Sequence, residues 1–422
     1  MKILVISGEY PPMKGGVGRY SYHLVNALKK NNNKNIDVYV VTNRHKEKAN
    51  ADISSTRVDD KNTTTIVSDN IDNSGDNNNG IFHGITKKGD MKNSDRLLAL
   101  VQQLKPDIVN IQYERGLYEI DTTIGHMFRR ILHGSTLDKF YKECPVPTVS
   151  TLHTLFPYHE YKEYIKERAM RKEGRFGFLP LPLRAALRKW VMNQRYDLLQ
   201  EVVKLSSDII SPANTIHKIV KRGTVIYHGA EPAQSLSAAN KQQFRKEFGL
   251  PSDKRLLLAF GYVGSYKGFD ILDNLSLPKD WSLVVKQNKH ERGLEQPFQI
   301  NNAINLSLGH IDDITLSKLF FSCDAIIFPY RIVSVSGVLF DALAHGLPFV
   351  ASNLEFFREF EEMQLGLTCN RNAKSFSDSI ANLAGDYNRY KENVLRFNPK
   401  LRWSNIANDH IEFYSKLLKS SC

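Results

Sequence analysis

The sequence predicts an α/β protein of two domains whose parallel sheets face each other across a cleft. Three observations carry this. Short, fully apolar runs alternate with helical patterns, the alternation breaks after "HGAEP" near 230 and then restarts, and glycine-bearing loops follow strands in both halves. Apolar runs of strand length separated by helices mark parallel sheets covered on both faces. At 422 residues with 41% hydrophobic side chains, the chain is long enough for two full cores.

The first domain, residues 1 to 230, offers "KILVIS" (2 to 7), "DVYVVTN" (37 to 43), "PDIVNIQ" (106 to 112), "PTVSTLH" (147 to 153), "SDIISPA" (207 to 213) and "TVIYHG" (224 to 229). The second, 231 to 400, offers "RLLLAFGYVG" (255 to 264), "WSLVVKQ" (281 to 287), "NAINLSL" (302 to 308), "CDAIIFPY" (323 to 330) and "LPFVASN" (347 to 353). A final helix, 401 to 422, closes the chain. Ligands of open parallel sheets bind beyond the carboxyl ends of the strands, which directs attention to the loops there.

Two segments stand outside the alternation. Residues 46 to 95, centred on "DNIDNSGDNNNG", are polar and read as a flexible surface insertion around one strand at 63 to 67. Residues 161 to 195 carry Lys162, Lys166, Arg168, Arg171, Lys172, Arg175, Arg184, Arg188, Lys189 and Arg195 against three glutamates, mixed with "FGFLPLPL" and Trp190. Such a segment suits either peripheral docking on an anionic membrane or a solvated helix pair capping the domain.

The formal charge of +12 favours phosphates, anionic lipid or nucleic acid as partners. No zinc finger, RNP-like motif or basic helix with heptads is present, so no nucleic-acid partner is expected. No apolar run approaches 18 residues, and four scattered cysteines without CxxC spacing imply neither disulfides nor zinc. The expected setting is a reducing cytoplasm, with the membrane's cytoplasmic face as the place of any peripheral docking.

"EYPPMKGGVGRYSYHL" places Gly15, Gly16 and Gly18 at the N-terminus of a helix just past the first strand. Free N–H groups and the helix dipole make that an anion site, and glycine admits a ligand to the backbone. The stretch is a poor dinucleotide fingerprint, because eight residues separate the strand end from Gly16 and no acidic residue ends the second strand. "FGYVGSYKGFDIL" sets Gly261 and Lys267 between a strand and a helix, and "PYRIVSVSGVLFDALAHG" opens a helix at Ser336 and Gly337. Singly, each is also a turn, a surface lysine or a capped helix. Together, three helix starts at strand ends favour one shared phosphate-bearing ligand.

These stretches, with "STLHT", "VIYHGAEP" and the terminal "RWSNIANDHIEFYSKLL", resemble in order and spacing the GT4 glycosyltransferases of the GT-B fold. The resemblance implies two Rossmann-like domains, a nucleotide-diphosphate sugar held mainly by the C-terminal one, a glycan or lipid-linked acceptor at the N-terminal one, and transfer with retention. It implies no cofactor and no metal, and no Asp-x-Asp pair is present. It further implies that Gly15, Gly16 and Gly261 border the donor, that Gly16 approaches its phosphate or sugar, and that His153 touches the transferred sugar. Lys267 would neutralise the diphosphate, the Ser336 and Gly337 amides would hold its oxygens, and Asp341 stands where the family's ribose-binding glutamate falls. Two positions depart: Tyr262 replaces a usual arginine, and Val333 the first glutamate of the paired motif.

From the residues themselves, a hydrogen-bonded core histidine is the lesser alternative for His153, His228 reads as hinge structure, and Asp312 and Asp313 as cap or loop carboxylates. Glu114, after the third strand, is an acceptor-side candidate. Three functions remain open: a hexosyltransferase, a non-catalytic homologue acting as a binding subunit, and a nucleotide-sugar epimerase of the same fold.

Overall fold

The computed structural model describes residues 1–13, 15–31, 35–43, 80–119, 135–171, 177–234, 236–288, 297–309 and 311–420. Two all-parallel sheets form its frame. The first has β1 (Lys2–Ser7), β2 (Asp37–Asn43), β3 (Ile81–Thr86), β4 (Ile108–Tyr113), β5 (Thr148–Leu152), β6 (Asp208–Ser211) and β7 (Thr224–Val225) in the order 3-2-1-4-5-6-7. The second has β8 (Arg255–Tyr262), β9 (Trp281–Asn288), β10 (Ala303–Asn305), β11 (Ala325–Phe328), β12 (Phe349–Ser352) and β13 (Gly366–Cys369) in the order 10-9-8-11-12-13. Strand order reverses at β1/β4 and at β8/β11, and an open α/β sheet presents its ligand crevice at that switch point.

Apolar composition explains why these runs are central strands. Ile3, Leu4, Val5 and Ile6 have no exposed surface, because alternate residues enter two different cores. Leu4 and Ile6 pack with Val109 and Ile111, while Ile3 and Val5 pack with Tyr20, Leu24 and Val25 of helix α1 (Gly16–Lys29). The second sheet divides likewise, with Leu256 and Leu258 on one face and Leu257 and Ala259 on the other. Of the remaining helices, those that shape the cleft are α2 (Tyr158–Met170), α3 (Leu181–Leu205), α4 (Asp313–Ser322), α5 (Gly337–Ala344), α6 (Glu355–Glu362) and α7 (Trp403–Ser420).

The polar insertion is shorter than its composition suggests. The strand expected at 63–67 lies outside the described residues, but 80–95 is folded: "IFHGIT" is edge strand β3, followed by a helix from Asn93. Phe82 and Ile85 attach it to the core, and a register shift between Thr42 and Asn43 accommodates its glycine. Strand β13, "GLTC", has too few large apolar residues to stand out and forms by pairing with β12. The basic segment 161–195 is the helix pair α2 and α3; Arg184 and Arg188 are buried in it, and Arg184 donates to the carbonyls of Gly177 and Leu179.

The chain leaves the first domain near Gly229 and returns at Trp403, and the two crossing segments are tied by the Ala230 N–H donating to the Leu401 carbonyl at 2.8 Å. Helix α7 then lies along α1. Trp403 stacks on His23 with ring centroids 5.4 Å apart and meets Tyr20 edge-on, while Asn31 donates to Asn408 at 2.7 Å. A Cβ on Gly229 would fall 2.4 Å from the Trp403 ring. Overpacking of this kind costs about 1–3 kcal/mol. Gly229→Ala is therefore expected to destabilise the protein by that amount, read as a lower urea midpoint; an unchanged midpoint would show that the ring yields freely.

Candidate active site in the interdomain cleft

Of the three glycines after β1, two are needed by the protein itself. The carboxylate of Glu9 occupies the space where a Cβ on Gly15 would project, and Gly18 packs against the Glu9 backbone. Glu9 also accepts the Gly18 N–H, so the dipole of α1 already faces an internal carboxylate. Burial raises the Glu9 pKa against that hydrogen bond. Gly16 is different: a Cβ there would meet nothing within 4 Å. Its bareness has no packing reason and leaves the start of α1 open to approach.

One turn further on, Arg19 crosses the cleft. Its Nη1 donates to Asp341 Oδ2 at 2.8 Å and its Nε to Asp313 Oδ1 at 2.8 Å. His23 donates to the second Asp313 oxygen at 3.1 Å, and this bond, together with the Arg19 charge, holds the Asp313 carboxyl well below the usual carboxylate range. Asp312, beside it, caps α4 through the Thr315 N–H. Asp341 is 4% exposed and already engaged, so a ribose hydroxyl reaching it would share the carboxylate with Arg19.

His153 ends β5, and a chain of buried amides fixes its ring. Thr151 Oγ1 accepts from Asn110, Asn110 Oδ1 accepts from Gln112, and Gln112 Oε1 accepts from His153 Nε2 at 2.9 Å. With Nε2 donating, Nδ1 is left as an acceptor. Burial, then the neighbouring His228, pushes the His153 pKa down to about 3, so the ring is neutral across physiological pH. Tyr20 contacts both His153 and His228 at 4.9 Å, and His228 stacks on Phe340 at 5.5 Å. His228 Nδ1 donates to the Gly229 carbonyl, and its Nε2 would lie 3.3 Å from a Cβ on Gly337.

Beside this cluster is a cavity of about 380 Å³ built by both domains. Lys267, Ser336 and Gly337 line it from the C-terminal domain; Thr154, Tyr161, Arg168 and Arg195 line it from the N-terminal one. Lys267 is 8% exposed, folds its stem over Gly261 and donates to Tyr330 Oη at 2.5 Å. Its ammonium also lies 3.9 Å from the Tyr330 ring centroid. The Ser336 hydroxyl caps α5 by accepting from the Leu339 N–H. Val333 is buried in the wall, where it leaves no carboxylate to face an anion. A second cavity of about 250 Å³ adjoins the first, sharing Thr154, Phe156, Tyr161 and Arg195, and Glu114 lines it while accepting from the Gly116 N–H. His159, Glu160 and Glu355 also converge, all three apart from both cavities, and Glu160 is committed to the Glu355 N–H at 2.6 Å.

The structure thus gathers Lys267, Ser336 and Gly337 at one cavity, puts His153 next to Thr154 at its edge, and sets Glu114 in the neighbouring one. Gly15, Gly16, Gly261 and Asp341 do not line either cavity; Gly16 and Asp341 stand near opposite ends of the Arg19 bridge. Sequence reasoning missed Arg19, Gln112 and Tyr330. Arg19 was within reach, since it sits on the first turn after the glycine loop, whereas the Gln112 and Tyr330 contacts join distant strands.

Two parallel-sheet domains with a cationic cavity between them define a fold of the GT-B type. Comparison with known proteins agrees. Residues 275–386 match the family model described as glycosyl transferases group 1. The chain is 24% identical over 274 residues to an uncharacterized glycosyltransferase of Methanocaldococcus jannaschii, covering 60% of this chain and 68% of the relative. Sucrose-phosphate synthase from Thermosynechococcus elongatus has the same fold at 13% identity, TM-score 0.63, with 99% of each chain covered. So does Anabaena HepE, solved with UDP, at 13% identity and TM-score 0.60 over 99% of this chain and all of that one. The family match over 275–386 and the curated relative agree on a glycosyltransferase, and the solved structures share its fold.

Burial lowers the Lys267 pKa to about 7. A bound diphosphate favours the protonated amine and raises that value, so the ammonium form is drawn in on binding. Diphosphate affinity is therefore expected to be highest below pH 7 and to fall as pH rises above it, with proton uptake on binding near neutrality. Calorimetry in buffers of different ionisation enthalpy reads the uptake; a pH-independent affinity from 6 to 9 would mean that Lys267 does not meet the phosphates.

Proposed function

We propose that this protein transfers a hexose from a nucleoside-diphosphate sugar to a hydroxyl acceptor with retention of configuration. The observation that carries the reading is the cavity shared by both domains, where the buried Lys267 ammonium and the start of α5 face residues placed by β5. Negative charge grows on the leaving diphosphate as the glycosidic bond breaks, and preorganised cations and N–H groups stabilise that charge without reorganising. His153, neutral and fixed by Gln112, offers Nδ1 to a sugar hydroxyl. The departing phosphate takes the acceptor proton, so no hydrolase-like carboxylate pair and no metal or cofactor is required. The acceptor hydroxyl comes from the adjoining cavity, with Glu114 in its wall. Val333 stands in the donor pocket's wall and Tyr262 outside its lining, and Lys267, Arg168 and Arg195 keep that lining cationic.

UDP-sugars are the first donors to test, because HepE, which shares the fold, has been solved with UDP and with UDP-glucose. Purified protein should release nucleoside diphosphate from one of UDP-, GDP- or ADP-glucose; release from none would sink the reading, and a converted sugar nucleotide with no release would favour epimerisation. His153→Ala is expected to lower turnover about a hundredfold with donor affinity near that of the wild type, as for loss of a transition-state contact. Gly16→Val, whose Cβ would have no atom of the described residues within 4 Å, should likewise lose turnover with little change in Tm. If either variant loses activity only in step with its folded fraction, the residue is structural.

The α2/α3 pair also supports peripheral docking on a membrane that bears the acceptor. Its tip exposes Phe178 at 83%, with Met170, Leu181 and Leu183, next to exposed Lys162, Lys166 and Lys189. No helix among the described residues is long and apolar enough to cross a membrane. Each basic side chain near an anionic surface contributes about 1 kcal/mol, screened by salt. Sedimentation with anionic vesicles is expected to exceed that with neutral ones at low salt and to fall when Phe178 becomes Ser; equal sedimentation would refute docking.

A further inference from the structure

Among the described residues, the cavity between the domains has Lys267, Arg168 and Arg195 in its lining and no acidic side chain. Two of the three come from the N-terminal domain's helix pair, from the segment whose charge looked like a surface property. Neither Arg184, whose Nη1 donates to the carbonyls of Gly177 and Leu179, nor Arg171, which pairs with Glu167, lines the cavity. Arg195 does: one nitrogen donates to Tyr161 Oη at 2.8 Å, and its Nε, like that of Arg184, is buried without a hydrogen-bond partner among the described residues. A buried guanidinium donor left without an acceptor is costly, and planar forks of this kind match phosphate and carboxylate oxygens. Arg168 lies with its guanidinium 5.7 Å from the centre of the Tyr164 ring, which also lines the cavity. The helices are held by Tyr161 and Met192 packing on Ile332 of the other domain, so both arginines are presented to the cavity by packed elements. Arg195 further lines the adjoining cavity with Glu114, which puts it at the passage between the two.

We propose that Arg168 and Arg195 form, with Lys267 opposite, an oxyanion site for a phosphate-class group of the substrate. It rests on reading this cavity as the substrate site. The oxyanion has two sources: the donor's diphosphate, in which case the N-terminal arginines replace the cation missing at Tyr262, or a phosphate on the acceptor entering from the Glu114 side.

Calorimetry with two probes, inorganic pyrophosphate and glucose 6-phosphate set against glucose, separates them. Wild-type protein is expected to bind at least one of these anions and to bind glucose no better. Arg195→Gln and Arg168→Gln should each weaken that binding at least tenfold. Lys189→Gln, the same charge change on the exposed face of α3, should stay within twofold. Loss of pyrophosphate binding assigns the site to the donor; loss confined to glucose 6-phosphate assigns it to the acceptor. Thermal unfolding checks each variant, and Arg195→Lys and Arg168→Lys, which keep the charge but not the fork, are expected to bind with intermediate affinity if a glutamine variant fails to fold. No anion binding by wild-type protein, or variants that bind like Lys189→Gln, would overturn the proposal. Release of nucleoside diphosphate from a sugar donor, measured on the same wild-type sample, judges the glycosyltransferase reading separately: release with arginine-independent anion binding sinks the oxyanion site alone, and arginine-dependent binding without release sinks that reading alone.

Discussion

The Arg19 guanidinium, clamped between Asp341 and Asp313, joins the first domain to two helices of the second. It stands on the first turn of a helix whose start is already pinned by Glu9, so its position is inherited from β1 through a rigid loop. Around it the interface adds two hydrogen bonds between Leu155 and Ser334, and an ion pair between Glu167 and Arg331. Asp341 is nearly buried while Asp313 is not, so the two halves of the clamp differ in strength: a charge pair with one partner in water contributes little, and a buried partner suffers most if left alone. Whatever brings hydroxyl groups to Asp341 must therefore compete with the contact that holds the cleft together.

The net charge of +12 is spread unevenly in meaning. Arg184 and Arg188 are buried in their own helix pair, and Arg331 and Arg371 share Asp270, with Glu167 also on Arg331, whereas Lys267 and Arg195 face a cavity with no carboxylate among its described lining residues. The aromatic rings of Tyr161, Tyr164, Tyr266 and Tyr330 surround that cavity, so its cations sit among low-polarity walls where their field is poorly screened. An anion entering there meets two half-buried guanidiniums, Arg168 and Arg195, and a Lys267 amine that its binding drives toward the protonated form.

Much of the fold was legible because buried parallel strands must be apolar on both faces; "KILVIS" and "RLLLAFGYVG" need no partner to be recognised. Strands β3 and β13 were not: β3 follows a long polar stretch that masks it, β13 has four residues with few large side chains, and each is an edge strand paired with one neighbour. At the site, the glycine loops and Lys267 announce themselves by local pattern. The reason for Gly15 was hidden, because it lies in the Glu9 carboxylate six residues earlier in the chain and close only in space. The role of the basic helices was hidden for the same cause: a charge count along the chain cannot distinguish a residue facing water, such as Lys189, from one turned into a cleft, such as Arg195.

The double crossing between domains, joined by the hydrogen bond from Ala230 to Leu401, changes what kind of motion the cleft permits. Because the last helix returns to α1, the second domain is in effect an insert carried on two parallel tethers a few ångströms apart. A single tether would allow twisting as well as bending, whereas a hydrogen-bonded pair resists twist and leaves bending across both segments as the softer deformation. A side chain wedged at this pair, where Gly229 meets Trp403, would act on that bending from outside the cavity between the domains.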